Sequence, residues 1–166
     1  AMPIDLPDGS HVFIDANIFI YHFSGPTEFT NHCTHFLQRI EDARLSGFTS
    51  TLVLAETLHR LMIIEAVSTL QIEPKTAIRH LKDHPSEVKK LVQHLTAPQT
   101  VQAIGIQILP LEATDVRNSD DIKKAYGLLT NDALNLAIMR HHRLTCIATN
   151  DADFERVTDL LVWKPV

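Results

Sequence analysis

Cysteine is nearly absent: Cys33 and Cys146 are the only two, and Cys146 lies in a run that reads as buried strand. This argues against a disulfide framework and makes a reducing compartment, the cytoplasm, the expected setting. An unbroken hydrophobic run of bilayer length is missing too. The most apolar segment, TLVLAETLHRLMIIEAV at residues 51–67, is interrupted by Glu56, His59, Arg60 and Glu65, which rules it out as a membrane span. No charged-then-apolar leader precedes the first strand, and Ala1 ahead of Met2 reads as foreign to the native chain. Basic residues are outnumbered, with 15 Lys and Arg against 20 Asp and Glu and a formal net charge of −5. That balance argues against holding nucleic acid by bulk positive charge. The chain also has no internal repeat, no low-complexity tract, no Gly/Ser linker and no glycine-rich phosphate loop. No Cys–His or Ser–His nucleophile pair is identifiable by motif.

What is present fits one domain spanning residues 1–166, long enough to bury a core without staples. Hydrophobic residues make up 45% and charged residues 21%, which are ordinary globular values and exclude a disordered or fibrous chain. Residues 11–14 form a short apolar strand. Residues 28–45 place Cys33, Phe36, Leu37 and Ile40 at helical spacing. Gly47 separates that helix from a second strand at 48–50, and the following segment repeats apolar residues at Val53, Leu54, Thr57, Leu58, Leu61 and Met62 as a second helix.

Pro74 opens a basic stretch that Pro85 breaks into a helical hairpin, an insertion of about residues 73–98 that Pro98 closes. AIGIQILP, residues 103–110, alternates Ile104, Ile106 and Ile108 as a third strand. A polar helix covers 113–126, and another begins with Thr130 or Asn131 as N-cap and buries Ala133, Leu134, Ala137 and Ile138. Residues 145–148 form a fourth strand and Leu161 to Trp163 a last short one. Strands alternating with helices predict an α/β fold, a central parallel sheet covered on both faces, whose ligands collect outside the carboxyl ends of the strands.

Carboxylates stand at that edge. Asp15 ends the first strand in VFIDANIF, Glu56 lies within an apolar helix, Asp132 is in the first turn of another helix, and Asp151 follows the fourth strand with Asp153 behind it. Each has a structural explanation of its own. Asp132 complements a helix dipole, worth about 0.3–1 kcal/mol; Asn150 or Asp151 caps a turn; Glu56 pairs with Arg60 one turn on. Asp15 has no evident cap or partner nearby. Gathered by a parallel sheet, two such groups ~5 Å apart repel by about 3 kcal/mol at an effective dielectric of about 20. A divalent cation offsets that repulsion. All-oxygen donors suit Mg²⁺ or Mn²⁺, and the absence of paired Cys or His ligand spacings argues against zinc. His32, Cys33 and His35 lie close in sequence, yet with no second ligand pair they read as helix surface.

VFIDANIFIYHF, TSTLVLAETLHRL, LLTNDALNLAIMRHH and IATNDADFERV resemble, in order, the four acidic motifs of the PIN-domain ribonucleases, a family that includes the VapC toxins of toxin–antitoxin pairs. The likeness runs from about residue 11 to residue 163. It implies a Rossmann-like three-layer α/β/α fold and Mg²⁺- or Mn²⁺-dependent cleavage of RNA. Asp15, Glu56, Asp132 and Asp151 fall on the family's acidic positions, Asp153 on a less constant one, and Asn17 on a polar position beside the first acid. The basic insertion departs from many small members and bears on substrate and partner rather than on the core chemistry.

The expected chemistry is water attack on a phosphodiester, with 5′-phosphate and 3′-hydroxyl products. Asp15 and Asp151 serve as inner metal ligands, Asp132 with Glu56 holds a second metal or its waters, and Asn17, Thr149 and Asn150 orient them. The basic residues Lys75, Arg79, Lys82, Lys89 and Lys90, and the RHHR run from Arg140 to Arg143, are sources of local positive charge, though solvated helix faces explain them equally. Expected partners are RNA, an antitoxin that places an Arg among the carboxylates, and a second copy of the chain. A phosphatase of the haloacid-dehalogenase type would need an acid where Asn17 stands, and a receiver domain would lack Glu56. Two alternatives are a non-catalytic PIN-like module that binds a protein partner and an RNA-processing nuclease outside toxin–antitoxin systems. Loss of metal-dependent cleavage on substituting Asp15 or Asp132 separates the enzyme from the binding module.

Overall fold

Val12, Phe13 and Ile14 are fully buried because β1 (His11–Ile14) is the middle strand of a five-stranded sheet. The structure, a computed structural model, describes residues 5–166, so Ala1 lies outside the described residues. The other strands are β2 (Ser46–Ser50), β3 (Gln107–Leu109), β4 (Cys146–Ala148) and β5 (Leu161–Trp163), in the order β3-β2-β1-β4-β5. Every pairing is parallel: Phe13 lies opposite Phe48 on one side and Ile147 on the other, and Ile14 opposite Ala148.

The chain steps one way along the sheet from β1 to β3, then crosses back to β4 and β5. Right-handed crossovers therefore put helices on opposite faces before and after β3. The first group is α1 (Ala16–Phe23), α2 (Thr30–Glu41), α3 (Thr51–Leu70) and α6 (Ala97–Ile104); the second is α7 (Ala113–Tyr126) and α8 (Thr130–His141), which pack on each other. This is the three-layer α/β/α arrangement that the alternation of elements predicts.

One core fills the space between layers, with Phe13, Phe19, Phe154, Ile18, Leu37 and Ile147 among its largest buried members. Each such side chain contributes about 1.5–3 kcal/mol relative to exposure. Gly47 sits inside β2 rather than ahead of it, and a Cβ there would meet Ile40 Cδ1 at 2.9 Å and Ile106 Cγ1 at 3.1 Å. Its bareness lets α2 approach the sheet. Among the described residues no helix is long and apolar enough to cross a membrane.

Several expected boundaries shift. The apolar run after Asp15 is the helix α1, and it carried no helix signal because Ala16, Ile18, Phe19 and Ile20 are all buried. The third strand is Gln107–Leu109: Ala103 and Ile104 finish α6, which ends at Gly105 in the left-handed conformation (φ 96°). Pro98 opens that helix instead of closing the insertion, its missing N–H costing nothing in a first turn. The N-cap of α8 is Leu129, one residue before the polar candidates Thr130 and Asn131.

The insertion is helical and broken at Pro85, as a 3-10 turn (Pro74–Thr76), α4 (Ala77–Asp83), α5 (Pro85–Val88) and a second 3-10 turn (Gln93–Thr96). Ala66, Leu81 and Leu91 form a small core of its own against α3. A buried carboxylate pins it there. Glu65 Oε1 accepts from the backbone N–H groups of Val92 (2.9 Å) and Gln93 (3.0 Å), and Oε2 from His94 N (3.2 Å), with the His94 ring nitrogen Nδ1 at 2.8 Å. Burial pushes this carboxyl up, and those four contacts outweigh it, leaving Glu65 below its ordinary range.

Candidate active site

The backbone alone brings two of the acids together. β1 and β4 run side by side in a register that ends with Ile14 beside Ala148, and Asp15 N donates to Ala148 O at 3.0 Å. The next residue of each strand, Asp15 and Thr149, is thereby placed at the same carboxyl edge. α3 begins where β2 stops, with Ser50 as N-cap, so Glu56 stands in its second turn beside β1. α8 runs opposite to the strands and presents its first turn, with Asp132, to the same edge. Asp151 stands three residues beyond the end of β4 and caps the 3-10 turn Ala152–Arg156.

Asp15 does have local partners, contrary to the expectation from sequence. It is the N-cap of α1: Oδ1 accepts from Ala16 N at 2.8 Å, while Oδ2 accepts from Thr149 Oγ1 at 2.7 Å and from Asn17 Nδ2 at 3.4 Å. It is also 6% exposed. Burial raises its pKa most, the bonds from Thr149 and Ala16 pull it back, and Asp151 pushes it up again. A cap alone would not require a buried acid among other acids, since Ser or Asn caps equally well.

Asn17, Thr149 and Asn150 form one network behind the acids. Thr149 Oγ1 accepts from Asn17 Nδ2 (3.2 Å) and Asp151 N (3.0 Å), Asn17 Oδ1 accepts from Asn150 N (3.0 Å), and Asn150 Nδ2 donates to Tyr21 Oη (3.0 Å). Side chains from the ends of β1 and β4 thus hold one another in place.

The carboxylate oxygens of Asp132, Asp151 and Asp153 lie within 4.8 Å of one another. Asp132 registers the whole assembly: burial first, then the charges of Asp15, Asp151, Glu56 and Asp153, push its pKa up to about 7. Glu56 is raised as well, by burial and then by Asp15, with Arg60 opposing. Among the described residues Glu56 forms no ion pair, so the expected bridge to Arg60 is a longer-range influence only. Asp153 is partly engaged elsewhere, since its Oδ1 accepts from Arg156 at 2.9 Å and Asp151 Oδ1 accepts from Asp153 N at 2.9 Å.

The donor set fits a hard divalent ion. Its atoms are all carboxylate oxygens, drawn from two elements and converging within ligand-sharing range, and like-charged groups so close are stable together only when a cation or protons neutralise them. Neither basic run supplies that neutralisation. RHHR lies at the far end of α8, whose 12 residues span about 18 Å at 1.5 Å each. The insertion joins α3 at Glu65, nine residues beyond Glu56 and about 13.5 Å along the helix. Ser50 and Asn135, absent from the expected site, also belong to it. Ser50 Oγ donates to Asn135 Oδ1 at 2.7 Å and accepts from Val53 N at 3.0 Å, tying the helix of Glu56 to the helix of Asp132. The available signal was Asn135 three residues after Asp132, on one face of α8.

This fold and edge cluster match a known class. The PIN domain model matches residues 12–160, and the chain belongs to the PIN domain family. It is 31% identical over 149 residues, 88% of both chains, to Ribonuclease VapC2 of Methanocaldococcus jannaschii. Among solved structures it resembles VapBC2 from Rickettsia felis bound to a DNA fragment from its promoter, with TM-score 0.60, 16% identity and coverage of 93% of this chain and 98% of that one. It also resembles Mycobacterium tuberculosis VapC20, a sarcin-ricin loop cleaving toxin, with TM-score 0.59, 13% identity and coverage of 89% and 95%. At those identities the two structures bear on the fold alone.

Proposed function

We propose that this protein is an endoribonuclease, the toxin of a toxin–antitoxin pair, which hydrolyses RNA phosphodiesters with the help of Mg²⁺ or Mn²⁺. The observation that carries the reading is the convergence of Asp132, Asp151 and Asp153 within 4.8 Å at the carboxyl edge of the sheet. The 31% identity to a named ribonuclease over most of both chains supports the substrate class. Asp132, Asp151 and Asp153 would hold the ion, with Asp15 and Glu56 completing the negative wall around it. When bound, such an ion makes water more acidic and neutralises charge on the phosphoryl group.

The remaining work falls to the protein's own groups. Asp15 is fixed by Ala16 N and Thr149 Oγ1, so its charge cannot swing away from the pocket. Asn17 and Asn150 fix the loop that carries Asp151. With no ion bound, burial and the surrounding acids raise Asp132 to about 7, so an ion held there would displace its proton. Attack by water on phosphorus, with the P–O3′ bond breaking and the 3′-oxygen leaving as a hydroxyl, gives a 5′-phosphate and a 3′-hydroxyl.

We further infer an antitoxin that covers this pocket and sets an arginine among the carboxylates, and a homodimeric assembly. The acid-rich pocket supports the first through charge complementarity. Ile64 on α3 and Val92 and Leu95 in the insertion, all exposed, support the second. Light scattering of the purified chain reads the assembly directly.

The deciding experiment compares RNA cleavage by the wild type, Asp15→Asn and Asp132→Asn, with Mg²⁺ or Mn²⁺ and with chelator. Cleavage that needs the metal and vanishes in both folded variants is the expected result. Wild-type turnover by Asp15→Asn, or cleavage indifferent to chelator, would reject the mechanism.

A further inference from the structure

The insertion holds a second convergence of ligand atoms, away from the carboxylate pocket. His80, His84 and Glu87 each offer one donor atom, and those atoms lie within 4.8 Å of one another. The expectation that the chain has no paired histidine spacing therefore fails here: His80 and His84 stand four residues apart, one turn along α4.

The local backbone builds the arrangement. His84 closes α4 with non-helical dihedrals (φ −129°, ψ 68°), and its Nδ1 lies 2.8 Å from the carbonyl oxygen of His80. A carbonyl oxygen only accepts, so Nδ1 carries the proton and Nε2 keeps its lone pair free for a ligand. A backbone partner on the other ring nitrogen is the usual way in which a metal-binding histidine is oriented. The two rings stack at 4.2 Å and 21°. Pro85 then turns the chain into α5, which brings Glu87 back against His80, where the carboxylate Oε2 contacts Nε2. His80 and Glu87 are 30% and 28% exposed, so the cluster is open on one side.

We propose that His80, His84 and Glu87 form a metal site for an ion of the zinc class, separate from the hard-ion pocket. Two imidazole nitrogens and one carboxylate oxygen are a zinc-type donor set and a poor match for Mg²⁺, which takes oxygen ligands in an octahedron. The ion takes the place of the hydrogen between His80 Nε2 and Glu87 Oε2, and water completes a fourth position on the open side. Bonds of about 2.0–2.2 Å put tetrahedral ligands roughly 3.4 Å apart, a spacing that three partly exposed side chains reach by small rotations. Bound there, the ion clamps α4 to α5 across the Pro85 break.

The test titrates ZnCl₂ into the full chain carrying Asp151→Asn, which disables the acidic pocket, and reads heat by calorimetry and the visible spectrum of Co²⁺ as a substitute. One equivalent of Zn²⁺ is expected, with affinity falling at least about tenfold in His84→Ala and Glu87→Gln. The same zinc should raise the melting temperature of the parent and leave that of His84→Ala unmoved. In the wild type, Zn²⁺ should protect His80 and His84 from diethylpyrocarbonate, a readout that needs no variant. Equal zinc affinity with and without His84, or equal labelling of both histidines with and without Zn²⁺, overturns the proposal.

Discussion

The hydroxyl of Thr149 donates a 2.7 Å hydrogen bond to Asp15 Oδ2, joining residues 134 positions apart. Thr149 Oγ1 in turn accepts from Asn17 Nδ2 and Asp151 N, so one small side chain aligns the first acid with the last. Thr149→Val preserves shape and removes all three contacts. Leaving buried partners unsatisfied costs about 1–3 kcal/mol. Urea denaturation should show that loss, and RNA cleavage should drop steeply because Asp15 and Asp151 lose their common anchor. An unchanged cleavage rate would show that Thr149 serves stability only.

Acidity within the pocket makes stability depend on pH. Asp132 has an ordinary value of 3.8 and titrates near 7 in the fold. Between those values the folded state keeps a proton that the unfolded chain releases, so this group's contribution is full below 3.8 and is lost as pH rises through 7. Asp15 and Glu56, both raised, act with the same sign. His22, lowered from 6.5 by burial, acts with the opposite sign below that value. In chelator, the melting temperature of the wild type should fall relative to that of Asp132→Asn as pH rises from about 5 to about 8. Saturating Mg²⁺ should reduce the difference.

Glu65 holds the insertion through three backbone N–H groups and the His94 ring. Glu65→Ala strands these donors and should destabilise the protein by about 1.5–3 kcal/mol, the range for hydrogen bonds to a charged group. Hydrogen exchange at residues 91–96 should accelerate more than exchange in β1. Uniform acceleration across the chain would mean that the insertion and the sheet unfold as one unit.

Both thiols are buried, and burial pushes Cys33 up to about 12 and Cys146 up to about 11. At about pH 8 neither offers a thiolate in the native state. Alkylation should therefore track global unfolding, and fast labelling of the native protein would contradict the burial of α2 and β4.

The sheet and its acids were legible because their signals are local. Val12 to Ile14 and Cys146 to Ala148 are short apolar runs that give way to polar residues and an acid, and the helix at Ala113–Tyr126 carries ordinary polar periodicity. α1 was not legible, since a helix buried on most of its surface shows no 3.6-residue alternation. Ile104 continued the isoleucine alternation of the third strand although it belongs to α6, where packing overrode strand propensity. Asp15's bond to Thr149 and the Ser50–Asn135 link depend on strand register, which no spacing within a segment encodes. The spacing of His80 and His84 carried no metal signal by itself, because Glu87 joins the pair only after the turn at Pro85.

The pairing of β1 with β4 has a temporal consequence. During synthesis, Asp15, Glu56 and Asp132 leave the ribosome before β4, the strand that aligns them, and Asp151 follows it. A nascent polypeptide thus lacks a finished pocket until β4 has emerged and paired with β1. Assembly of the pocket is tied to this long-range strand pairing rather than to any single segment of the chain.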